Sequence, residues 1–168
     1  MILSKENEQF IYNFIKNDLS FYPSISDNLY LPFAINRPFA VYDVSSMTDE
    51  QIDLLNELAP EAILRCLPNG HQLYAVDWFH DYILYDPRNP STAQSKFEHT
   101  PSYNSKGSAY FYGFYPDGDY FFFIEKYGRF GYLSHPWRDE VWVYGTDLMN
   151  EFEKIYHQIG FVLKAKVT

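Results

Sequence analysis

Apolar positions along the chain change period twice, and the changes mark out its elements. Near the start, Phe10, Ile11, Phe14, Ile15 and Leu19 recur at three- and four-residue intervals. That spacing predicts a helix beginning after Ser4, a good N-cap, and running to about Leu19. Pro23, Pro32 and Pro38 then exclude helix locally, so the stretch from Tyr22 to Pro38 reads as an extended, ordered loop. A short strand is expected at Ala40 to Val44. A second helix starts at Thr48-Asp49-Glu50-Gln51, which fits a capping box with Thr48 as N-cap and Gln51 at the third helical position. Its residues Ile52, Leu55 and Leu58 face inward, leaving Asp49, Glu50, Asp53 and Glu57 on an acidic outer face.

From Gln72 the pattern becomes that of strands. They are expected at 72–77 and 82–85, then, after a polar loop reaching about Lys106, at 109–114, 120–126, 131–135 and 140–144. Tyr115-Pro116-Asp117-Gly118 supplies the turn between the first two of this last group. Tyr127-Gly128-Arg129 links the next two. Such short links require antiparallel pairing, hence a meander. A third helix follows Thr146, with Leu148, Met149, Phe152, Ile155 and Ile159 on its apolar face and Gly160 as its stop. The alternation after Phe161 predicts a final strand at a sheet edge guarded by lysines. The fold class is α+β: an antiparallel meander sheet with about three helices packed on one face, in a single domain spanning residues 1–168.

Composition sharpens this. A chain of 168 residues can bury a sufficient core without a disulfide or metal. Its lone cysteine, Cys66, has no partner for a bridge and reads as a small buried hydrophobe in a reducing compartment. The N-terminal residues do not read as a secretory signal, because charges interrupt the apolar stretch. The longest apolar run, Tyr120 to Ile124, is far short of the roughly 20 residues that span a bilayer. A cytoplasmic protein is therefore expected. The net charge is -9, and residues 1–60 hold nine acidic residues against three basic ones. A field of that sign disfavours nucleic acid and anionic membrane and attracts basic partners. Aromatics make up 20% of the chain, enough to supply interface anchors as well as core.

Two aromatic–histidine clusters carry the candidate chemistry. Asp77-Trp78-Phe79-His80-Asp81 places a carboxylate and an imidazole three residues apart, near a strand end. Ser134-His135-Pro136-Trp137-Arg138-Asp139 pairs Trp137 with Arg138, a combination favoured at binding hot spots. Asp77, Trp78, His80, His135, Trp137 and Arg138 are thus the candidate cleft residues. Each cluster also has a plain structural reading: Asp77 and His80 as polar groups satisfying the backbone at a strand end beside a buried Trp78, and the second cluster as a solvent-facing turn with a packed Trp. The five histidines show no metal-ligand spacing, and the Asp117-Gly118-Asp119 turn lacks the further oxygen ligands of a calcium loop. No nucleophile elbow, P-loop, dinucleotide fingerprint or zincin motif occurs, so no catalytic residue, metal or cofactor is assigned.

Leu73-Tyr74-Ala75-Val76-Asp77-Trp78-Phe79-His80 with Tyr85-Asp86-Pro87, and Pro116-Asp117-Gly118-Asp119-Tyr120 through His135-Pro136-Trp137 to Val143-Tyr144-Gly145, together resemble an uncharacterised bacterial family, the domain-of-unknown-function family 2716. The resemblance spans roughly residues 70–146 and leaves the acidic N-terminal 60 residues outside it. It brings no established activity. It does imply that Asp77, Trp78, His80, His135 and Trp137 belong to one region.

The functional expectation is a non-enzymatic protein of immunity or antitoxin type that occludes a basic bacterial toxin domain, such as a nuclease. Asp49, Glu50, Asp53 and Glu57 would speed encounter, and aromatic residues would provide affinity. The alternative is a small-molecule-binding domain or enzyme with a cleft around Trp78, His80, His135 and Trp137.

Overall fold

The computed structural model describes residues 5–23, 31–78, 82–88 and 113–168. Among them are three α-helices, α1 (Lys5–Asn13), α2 (Asp49–Cys66) and α3 (Thr146–Ile155). Seven strands form one sheet: β1 (Phe39–Asp43), β2 (Leu73–Asp77), β3 (Tyr82–Tyr85), β4 (Phe121–Glu125), β5 (Gly131–His135), β6 (Glu140–Tyr144) and β7 (Val162–Val167). The order is β3-β2-β4-β5-β6-β1-β7, and every pairing is antiparallel. The α+β class and the antiparallel sheet are as expected.

The helices divide between the two faces of the sheet, which corrects the expectation that all lie on one. On the first face, Leu55, Ala59, Ala62 and Ile63 of α2 and Leu148, Met149, Phe152 and Ile155 of α3 pack on Tyr42, Ala75, Phe123, Tyr132 and Val143. On the second, Ile11, Phe14 and Ile15, with Phe21 and Phe33, pack on Val41, Val76, Phe122, Leu133 and Trp142. Adjacent strand residues point to opposite faces, so Phe122 and Phe123 belong to different cores. All five residues are buried in each of β2, β4, β5 and β6. Such continuous burial marks a sheet covered on both sides.

The meander is also shorter than expected. β4, β5 and β6 are successive neighbours, but β2 pairs with β4 where the 109–114 strand was expected. Of that segment, Gly113 and Phe114 are not strand, and residues 109–112 lie outside the described residues, as does most of the preceding polar loop. β1 is inserted between β6 and β7.

Local signals explain the ends of the elements. The Thr48 Oγ accepts from the Gln51 amide at 3.3 Å while the Gln51 side chain accepts from the Thr48 amide at 2.9 Å. The capping box therefore closes in both directions. α1 runs into a π turn, Phe14–Asp18, with the Leu19 amide donating to the Phe14 carbonyl at 3.1 Å. Phe14, Ile15 and Leu19 are buried, while Phe10, placed on the same apolar face by its spacing, is 49% exposed. α3 begins one residue before its expected start, with Gly145 as N-cap at φ +91°. A Cβ there would lie 2.6 Å from that of Phe130, so this sharp entry needs glycine.

Candidate functional site

The sheet register shows which of the motif residues meet. The Trp78 amide donates to the Tyr120 carbonyl at 3.2 Å, and the Tyr120 ring lies edge-on to His135 with centroids 4.8 Å apart. His135 is paired with Glu140 across β5 and β6, and Glu140 with Asp43 across β6 and β1. Trp78 and His135 thus belong to one row along an end of the sheet, with Tyr120 between them. Both are buried. Trp78 stacks on Tyr12 (5.2 Å, 10°) and meets the edge of Phe21 at 5.0 Å.

The rest of the expected cleft does not converge there. Asp77 is buried, but strand alternation assigns it to the opposite face, that of Leu73 and Ala75. Trp137 sits on the 3-10 turn Pro136–Arg138 and is 47% exposed. Arg138 spends its guanidinium on Glu140, with contacts of 2.8 and 3.2 Å. His80 lies outside the described residues.

Two buried carboxylates, neither singled out by motif, organise the ends of the sheet. Glu140 accepts from Arg138, from Lys164 at 2.8 Å and from the Trp142 indole at 3.2 Å. At the opposite end Glu125, whose side chain is fully buried, takes the Arg129 guanidinium at 2.8 and 3.1 Å, the Tyr127 amide at 2.9 Å and the His71 ring at 3.3 Å. Burial alone would raise the pKa of each. Arg129 and its companions outweigh that at Glu125, and Arg138, Lys164 and Trp142 do so at Glu140. Both carboxyls are held below the ordinary value. These arrangements are structural: each charge is matched inside the fold.

The α2 surface is different. Asp49, Glu50, Asp53 and Glu57 are all exposed. Asp49, Asp53 and Glu57 follow one another at four-residue steps, where like charges repel. No cation among the described residues forms an ion pair with any of the three; Arg65, farther along α2, is held by Glu61 and Glu151.

Two shallow clefts bear on the candidate chemistry. One, of about 230 Å³, is lined by Cys66, Arg129, Phe130, Gly145, Thr146 and Asp147. Burial, then the charges of Glu151 and Asp147, push the Cys66 thiol up to about 11. It stays protonated at neutral pH and is a poor nucleophile. The other, of about 340 Å³, lies between α1 and β3 and is lined by Lys5, Glu8, Gln9, Tyr12 and Tyr82. Its residues carry no sequence motif, because Glu8 and Tyr12 fall on the polar side of an amphipathic helix. The signal was their i, i+4 spacing, which puts a carboxylate and a ring side by side. No group of three or more metal-ligating side chains converges among the described residues. No helix among them is long and apolar enough to cross a membrane.

These features define a class: an α+β protein with an antiparallel sheet covered on both faces, buried carboxylates matched inside the fold, and an outer acidic helix row that meets no cation among the described residues. The chain belongs to the family described as "Protein of unknown function (DUF2716)", whose sequence profile matches residues 2–149. That match reaches well beyond residues 70–146 and takes in α1, β1 and the acidic helix α2. The chain is also similar to the "Uncharacterized protein YxiI" of Bacillus subtilis (strain 168), at 25% identity over 126 residues, covering 69% of this chain and 70% of that protein. No solved structure matches.

Proposed function

We propose that this is a non-enzymatic binding protein of immunity or antitoxin type, which neutralises a basic toxin domain by covering its active surface. The observation that carries this reading is the exposed row Asp49, Asp53 and Glu57, with Glu50 beside it, lacking any described internal counter-cation. Repulsion along such a row is relieved when a basic surface docks on it, and the same charges steer that surface inward. The buried carboxylates Glu125 and Glu140 offer the contrast, since both are satisfied by the fold itself.

The alternative small-molecule cleft has less support. Trp78 and His135 are buried in packed rings, Asp77 falls on the other face, and Trp137 faces solvent.

The test is co-expression with the products of adjacent genes. The wild-type chain is expected to co-purify with a basic product and to protect cells from its toxicity. Absence of both capture and protection for every neighbouring product would overturn the proposal.

A further inference from the structure

The cleft between α1 and β3 lies on the second face of the sheet, away from α2, and its lining has a distinct chemistry. Tyr12 rests one face on Trp78 and is 42% exposed, so its outer face borders the cleft. Glu8, one helical turn earlier, is half-buried, and no cation among the described residues forms an ion pair with it. Tyr82 contributes the opposite wall, and its hydroxyl lies 3.4 Å from the Trp78 carbonyl. The aromatic group already attracts a cation from within, because Lys16 Nζ lies 6.0 Å from the centre of the Trp78 ring.

We propose that this cleft receives an arginine side chain of a partner protein, with the guanidinium stacked on Tyr12 and paired with Glu8. Three observations support arginine. A planar guanidinium can lie on a tyrosine face while offering a fork of donors to a carboxylate, which a lysine ammonium cannot do. Glu8 is half-buried, so its charge is less screened than that of a fully exposed carboxylate. The local field is also negative: burial raises the pKa of the Tyr82 hydroxyl, and Glu8 and Asp77 lie close enough to add to that effect. Lys5 is the opposing charge at the rim, and it weakens the site. The inference does not depend on α2 or on a toxin partner.

The test uses the full chain, isotope-labelled for NMR and titrated with N-acetyl-arginine amide. Its neutral isostere, N-acetyl-citrulline amide, and free arginine are run in parallel. Saturable shifts are expected at α1 and at Tyr82–Tyr85 with the blocked arginine, and none with the citrulline compound. Glu8→Gln should weaken binding roughly fivefold, and Lys5→Gln should strengthen it. Tyr12→Leu should remove it while the rest of the spectrum shows the fold intact. If Tyr12→Leu perturbs the fold, the Glu8 and Lys5 variants decide the matter. Equal binding of the citrulline compound, shifts confined to other surfaces, or no response to blocked arginine would each overturn the proposal. Free arginine binding at least roughly tenfold tighter than the blocked form would assign the site to a free amino acid instead, and the docking role would fall. Charge variants of α2 leave all these results unchanged, so this test and that of the toxin partner fail separately.

Discussion

Replacing Phe122 with alanine is expected to lower the unfolding free energy by about 4 kcal/mol, and replacing its neighbour Phe123 to lower it by a similar amount. Both are fully buried, yet they have no environment in common. Phe122 lies among Phe21, Phe33 and Trp78 at centroid distances of 5.0 to 6.0 Å. Phe123 stacks on Phe114 at 4.2 Å and meets Tyr85 and Tyr132 edge-on at 6.0 and 6.3 Å. Had every helix lain on one face, one of these rings would sit on an open surface, and truncating it would cost less than about 1 kcal/mol. Urea unfolding of the two variants measures the difference directly. The costs should also be nearly additive in the double variant only if the two cores relax independently.

The second large effect is expected at Glu125. Changing it to alanine leaves the Tyr127 and Arg129 amides without their carboxylate and removes the partner of a guanidinium. The expected loss is about 3 kcal/mol, toward the low end for breaking a buried pair because Arg129 is half exposed and can rehydrate. The pH dependence has a definite sign. The Glu125 and Glu140 pKa values are lowered on folding from an ordinary 4.5. Their contribution is therefore complete above about pH 4.5, where both states are ionised, and is lost as pH falls through the folded values. Wild-type stability should drop steeply below pH 4.5, and the Glu125→Ala variant should show a shallower slope there. Equal slopes would mean that Glu125 is not held ionised by its partners.

Much of the local structure was legible in the sequence because it rests on neighbours in the chain. The Thr48–Gln51 capping box, the bounds of Gly131–His135 and Glu140–Tyr144, and the edge position of β7 all follow from short-range rules. The division of the helices was not read, though its trace was present. Tyr120 to Ile124 is an unbroken apolar run, and a strand with one wet face would alternate instead. What short-range patterns could not carry was the order of strands. Nothing in the period of Leu73–Asp77 says that it will pair with Phe121–Glu125, or that Phe39–Asp43 will enter beside Glu140–Tyr144. That order also decides the site. Trp78 and His135 come into one row because β2, β4 and β5 are adjacent. Asp77, next to Trp78 in sequence, falls on the opposite face because strand neighbours alternate. The acidic face of α2 was legible from helical spacing alone, whereas the α1–β3 cleft needed the fold to bring Tyr82 to Tyr12.

The central claim is that the α2 face captures a basic partner. The most direct measurement is the association rate between this protein and the co-purifying product of its adjacent gene, taken across a range of salt concentrations. Asp53 and Glu57 are exposed and mid-helix, so Asp53→Lys with Glu57→Lys changes the field without disturbing the cap or core. The prediction is a fall in association rate of roughly tenfold or more at low salt, with a much flatter salt dependence and an unchanged melting temperature. An association rate unaffected by the double reversal, with the same salt dependence as the wild type, would contradict it.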